Sequence, residues 1–417
     1  MTRSRRLAVP LGAGLAAACL LAPAAAHESS ADEKPIVLGD SYDTTTVVEP
    51  GLHPFVPPAS NAEGYLSVER TIDNSTIWLG ETLLSPEPVE TSYFVRPTTD
   101  ESGQSCGTGW SVEATYYFHE FLGGGGFGSA ACRKSDQVTF VHNGPLEGDL
   151  SGAEAQLVVW EEPPVTDRSI LPPPAITSKW SAKAPPAKGT VELGTDFASA
   201  PELAGGRWDV HVDPGRTALF KVPLDWNQHM QVHLTYDGVR TEQSVPIEPV
   251  LITPIGATSY WGDHFAGKDV EAPDFTDLNL AYSGPEGAGA VSPSITWRNR
   301  EESGIKAAFP GNYYVLLRMN KNNVDDKANP KNGADITVGV KVITDKPPRS
   351  PYSQDPEPIP DLNGEEPADE ESETKASDSS SSADTTSWGA VGGLFGGSAV
   401  MAAAGFVALG KHRRSRA

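Results

Sequence analysis

The chain has 417 residues, with 41 glycines, 36 prolines and a formal net charge of -23. That length accommodates two ordinary domains with full cores, and the glycine and proline content suits turns between short strands better than helices. A body this acidic repels phosphate backbones, which argues against nucleic acid as a partner.

The first element is a signal peptide, residues 1–26. Arg3, Arg5 and Arg6 form its charged region, Leu7 to Leu21 its apolar region, and Ala24-Ala25-Ala26 an A-x-A cleavage site before His27. The run between Pro10 and Pro23 is too short to span a bilayer. Cys19 lacks the preceding Leu-[Ala/Ser]-[Gly/Ala] triplet of a lipoprotein. Cys106 and Cys132 are then the cysteines of the mature chain. Two cysteines in an exported protein most often pair, so a Cys106–Cys132 disulfide is expected.

Residues 36–165 form a first domain in which "QVTFVH" and "AQLVVW" alternate with period two. Gly103-Gln104-Ser105-Cys106-Gly107 matches the nucleophile-elbow pattern, but a strand-like "TGWSVEATYYF" follows where that motif needs a helix. Gly123, Gly125 and Gly128 satisfy G-x-G-x-x-G, again without the helix whose amides would meet a pyrophosphate. His119-Glu120 is not followed by the second histidine of a zinc-binding helix, since Gly123 stands there. None of these makes a catalytic site. Asn74-Ser75-Thr76 is a glycosylation sequon, relevant where the host has that machinery.

A Pro/Ala/Lys-rich stretch over 166–189 reads as a linker. The second domain, 190–345, alternates clearly. Met230, Val232, Leu234 and Tyr236 point one way; Tyr313, Val315, Leu317 and Met319 make a second row, and Ile336, Val338, Val340 and Val342 a third. Many short strands with Gly/Pro turns give an all-β fold of two antiparallel, jelly-roll-like β-sandwich domains. Val48-Glu49-Pro50-Gly51 matches Val212-Asp213-Pro214-Gly215, with strands at Leu66 and Met230 a fixed interval later. Gly152-Ala153-Glu154 matches Gly333-Ala334-Asp335. Together these suggest a duplication.

"GGRWDVHVDPGRTALFKVPLDWNQHMQVHLTYDG", "FPGNYYVLLRMN" and the closing "DITVGVKV" resemble the pre-peptidase C-terminal (PPC-like) module of bacterial surface proteins, found elsewhere beside von Willebrand A domains. The resemblance covers mainly 190–345 and implies a non-catalytic accessory jelly roll. It brings no ligand, because the Asp-x-Ser metal-adhesion motif of the von Willebrand A domain is not visible.

Within this domain, Trp261, Asp263 and His264 of "WGDHF" are the ligand-facing candidates on a loop. Asp269, Glu271, Asp274 and Asp277 follow. Such carboxylates can hold Ca2+ or form a solvated acidic face, the commoner outcome, so no cofactor is assigned. Trp208, Trp226, Trp261 and Trp297 either form a sugar-stacking platform or fill core.

Residues 346–387, rich in proline, acids and serine, read as a disordered stalk. Residues 388–410 carry no charge, and as a helix they would rise roughly 34 Å, enough for a ~30 Å hydrocarbon core. The basic tail 411–417 marks the cytoplasmic side. Gly392 with Gly396, and Gly393 with Gly397, give small-xxx-small spacing that would let another membrane helix approach. The expected protein is therefore a single-pass surface protein, not an enzyme. Its outward bulk would serve as an interaction or structural module of the envelope, partnered by the bilayer and by another membrane protein or wall polysaccharide.

Overall fold

A computed structural model describes residues 34–97, 106–123, 135–145, 150, 153–165, 167–175, 181, 183–238, 246–256, 258–260, 278–279, 288–301, 307–319, 333–347, 349–352 and 356–364. The signal peptide, Cys132, Trp261, Asp263, His264, the span 388–410 with Gly392, Gly393, Gly396 and Gly397, and the basic tail lie outside the described residues. Among the described residues no helix is long and apolar enough to cross a membrane.

The first domain runs β1 (Ile36–Val37), β2 (Thr46–Val48), β3 (Gly51–Val56), β4 (Glu63–Glu69), β5 (Thr76–Pro97), β6 (Gly107–Gly123), β7 (Gln137–Asn143) and β8 (Glu154–Glu162). The second runs β9 (Ala187–Thr190), β10 (Gly206–Val212), β11 (Ala218–Leu224), β12 (Gln228–Thr235), β13 (Pro246–Ile252), β14 (Thr258–Tyr260), β15 (Leu278–Asn279), β16 (Ala288–Val291), β17 (Gly311–Met319) and β18 (Ala334–Thr344).

In the second domain β16-β12-β18-β10-β9 form one sheet and β11-β17-β13-β14 the other, with β15 beside β13. The chain crosses repeatedly from one sheet to the other, which is the order of an eight-stranded jelly roll. The period-two rows are the reason the sheets pack. Met230, Val232 and Leu234 of one sheet meet Tyr313, Val315 and Leu317 of the other in one buried core, with Ile336, Val338 and Val340 beside them.

The first domain uses the same scheme with fewer strands. β3 pairs with β8, β8 with the first half of β5, β7 with its second half, and β4 with β7. β6 follows β5 along both halves, and the register slips between Leu84 and Val89. Leu79 and Leu157 from one half share a core with Tyr93, Phe140 and Leu66 from the other, so this single sheet folds over on itself. Two long bent strands thus replace four separate ones. The ends of the sheet approach each other where the Thr46 hydroxyl donates to the Val37 carbonyl, 3.2 Å.

Six pairings recur one for one, and so do the edges. β1 lies parallel to β3 as β9 lies parallel to β10. The Gly39–Tyr65 bridge recurs as Gly194–Leu219, both antiparallel. The two domains thus share a pairing scheme, in a register that differs from the one the sequence matches suggested. Gly39, Gly51 and Glu63 correspond to Gly194, Gly206 and Ala218, 155 residues later in each case. The matched Pro-Gly turns are not equivalent: Gly51 opens the strand that pairs with β8, whereas Gly215 follows the strand that pairs with β18.

Two expected boundaries are corrected. β9 occupies the end of the presumed linker 166–189, because the chain there adds an edge strand to β10. The presumed free stalk is anchored at its start. Leu362 is 1 % exposed, and Tyr352 and Ile359 pack against buried cores, so the few apolar residues of this proline-rich segment are enough to dock it.

Candidate functional site at the domain junction

The strand "AQLVVW" explains how the two domains meet. In β8, Ala155, Leu157 and Val159 face the first domain's own core, while Val158 and Trp160 face outward. In β17, Tyr314 and Leu316 likewise face away from the second core. Both outward rows are apolar, so they pack on each other with Trp78, Leu219, Val250 and Ile252 in a third core between the domains. Phe309 is its central knob. It stands edge-on to Trp78 at 4.8 Å and to Trp160 at 5.9 Å between ring centroids.

Close approach is bought by a missing side chain: a Cβ on Gly80 of β5 would lie 1.4 Å from the Ile255 carbonyl oxygen. Any larger residue at Gly80 collides with backbone of the other domain.

Beside this core lies a buried charge. Glu162, the last residue of β8, accepts from the Trp78 indole at 2.7 Å and the Trp297 indole at 2.8 Å. It also accepts from the Arg300 guanidinium and the Tyr352 hydroxyl. Arg300 and Glu162 side chains are 5 % and 4 % exposed. The guanidinium lies 4.4 Å from the Phe309 centroid and 5.1 Å from those of Trp78 and Trp297, a cation–π arrangement strengthened by exclusion of water. Burial, the largest single influence, works against the charged guanidinium, but the Glu162 charge, the Tyr352 hydroxyl and the hydrogen bonds to both together raise the Arg300 pKa. Burial, then the Glu162 charge, push the Tyr352 hydroxyl well above its ordinary range, so it stays a donor.

The tail closes the junction. The Trp160 indole donates to the Glu357 carbonyl at 2.9 Å. Asp361 accepts from the Tyr314 hydroxyl at 2.5 Å and from Asn312, with Lys221 Nζ 3.7 Å away. Between tail and domains remains a cleft of about 340 Å3, walled by Trp160, Trp226 and Tyr352 and rimmed by Asp225, Arg349 and Glu357.

Other polar clusters are staples. Asp345 Oδ2 lies 3.2 Å from His229 Nδ1 and accepts from Ser294, whose oxygen is 3.3 Å from the same Nδ1. A catalytic serine would address the opposite ring nitrogen from the aspartate, so this trio closes the end of β18. Burial pushes the Asp345 carboxyl up, but its bonds to His229 and Ser294 outweigh that and lower its pKa. Glu81 and His142 form a fully buried pair at 2.9 Å inside the first core, with Phe55 and Phe140 rings 5.8 and 6.1 Å from the imidazole. Among the described residues no group of three or more His, Cys, Asp or Glu could hold a metal ion.

Of the residues singled out from sequence, Cys106 is buried in the first core; Cys132 lies outside the described residues. Trp226 is core, and Trp208 and Trp297 pack partly buried against the same cluster, so these three form no exposed platform. Glu162, Arg300, Phe309 and Tyr352 escaped sequence reasoning. The available signal was apolar residues on both faces of β8 and β17, which a sandwich exposed on one side does not need.

No protein-family model matches the chain, and no curated protein matches it in sequence. The jelly-roll topology agrees with the fold that the PPC-like resemblance implies, and nothing specific to that family is found. Among solved structures the chain is similar to the PBSX exported protein XepA: 12% identity, 70% of this chain and 86% of that one, TM-score 0.20. It is also similar to the CBM22-1–CBM22-2 tandem of Paenibacillus barcinonensis Xyn10C: 11% identity, 69% and 84%, TM-score 0.18. The ANXUR2 extracellular domain of Arabidopsis thaliana gives 7% identity, 69% and 83%, TM-score 0.18. At such TM-scores none of these bears on function, and the fold rests on the strand pairings themselves.

Proposed function

We propose that this chain is an exported, membrane-anchored envelope protein whose two jelly rolls form a rigid, non-catalytic interaction or structural module. The observation that carries this reading is the third core. Two sandwiches that bury a shared apolar layer and a shared ion pair behave as one body, which suits presenting a surface at a fixed orientation. The N-terminal 1–26 and the uncharged 388–410 supply export and anchoring in this reading, with the basic 411–417 cytoplasmic. The partner is another envelope membrane protein. Wall polysaccharide is the weaker choice, because three of the four tryptophans suited to stacking are engaged in packing.

The test is membrane fractionation of the full chain with external protease. The reading expects a carbonate-resistant membrane species whose folded bulk is digested or shielded only from outside, and a pull-down that recovers a membrane protein with no glycan retention. Recovery as a freely soluble species contradicts it.

A further inference from the structure

We propose that residues 349–352 and 356–364 are a releasable clasp that fixes the angle between the two jelly rolls, so that whatever binds or pulls the chain beyond residue 364 acts on the domain junction. The clasp holds both domains at once. On the first-domain side its Tyr352 hydroxyl donates to Glu162 and its Glu357 carbonyl receives the Trp160 indole. On the second, Asp361 gathers Tyr314, Asn312 and Lys221. Leu362, 1 % exposed, plugs the edge of the shared core.

The mode of attachment is what makes it releasable. Strands are held by backbone ladders, whereas none of the clasp's described residues belongs to a strand. The bond from the Gly364 N–H to the Asp361 carbonyl stays within the segment. Side-chain contacts and one buried leucine can let go while both sandwiches remain folded. Release removes a donor from Glu162, opens the edge of the core at Leu362, and unmakes the cleft walled by Tyr352 and Ile359. Because the chain past residue 364 is covalently continuous with the clasp, the clasp couples that chain to the domain angle. The clasp is defined by the junction geometry, whether or not the chain is membrane-anchored.

The experiment measures the distance between spin labels on Asp73→Cys and Arg216→Cys in the full, unreduced chain. A narrow distribution is expected in the parent. Leu362→Asp with Asp361→Ala should at least double its width, with unchanged circular dichroism; Tyr352→Phe should widen it less. A further label on Pro358→Cys reports release directly. If that label becomes mobile while the distribution stays narrow, the clasp does not set the angle and the proposal fails. If the label stays immobile in the double variant, the named contacts do not hold the clasp, and the proposal fails equally. Should the double variant not fold, Leu362→Ala and Asp361→Asn are read by the same criteria.

Discussion

At the scale of single residues, the strongest commitments are buried charges. Glu161 and Glu162 are adjacent, and composition alone would place both on an acidic surface. Instead Glu161 turns into its own domain, accepting the Thr71 and Ile72 amides at 3.0 and 2.9 Å, and Glu162 turns into the junction. Breaking a buried pair strands the remaining charge, a loss of about 3–5 kcal/mol. Glu162→Gln should therefore destabilise the chain by about that amount in urea unfolding, whereas Glu162→Leu with Arg300→Met should lose much less. Glu81 and His142 allow a parallel test: His142→Leu alone leaves a fully buried carboxyl without its 2.9 Å partner and should cost several times more than the paired change with Glu81→Leu, by the same measurement. His211 behaves differently because it is exposed. Its hydrogen bond with Asp335 at 2.7 Å raises its pKa. Its contribution is complete below the ordinary histidine value of about 6.5 and fades as pH rises through the raised one. Histidine NMR titration should find His211 above that value, and Asp335→Asn should return it downward.

At the scale of elements, strand faces decide the architecture. The alternating rows of β12, β17 and β18 were readable because one period separates core from exterior in any sandwich. The opposite rows of β8 and β17 were readable as apolar but gave no hint of what covers them, since a third layer is a long-range fact. The start of the stalk was misjudged for the same reason: a segment with Tyr352, Ile359 and Leu362 folds only where a groove exists to receive them. The likeness of the two domains was visible, yet short Pro-Gly matches aligned turns that are not equivalent, because strand pairing rather than turn sequence defines equivalence. Gly80 is the element-scale test. Gly80→Ala should leave both sandwiches folded but undock the Ile255 loop, seen as amide exchange rising at residues 253–256 and along the start of β5. At the far end of β18, Asp345 has a lowered pKa, so its contribution is present above ordinary carboxylate values and is lost as pH falls through the lowered one. Asp345→Asn should accordingly flatten the acid limb of the stability curve.

For the whole molecule, two domains with a shared pairing scheme should behave as one body. Each half has its own core, and a third core, an ion pair and a docked tail join them. The direct measurement is calorimetry of the full, unreduced chain. Domains coupled through so apolar a junction should melt in one transition, with calorimetric and van't Hoff enthalpies equal. Two well-separated transitions in the parent protein, each with the enthalpy of one sandwich, would contradict the claim that the jelly rolls act as one body.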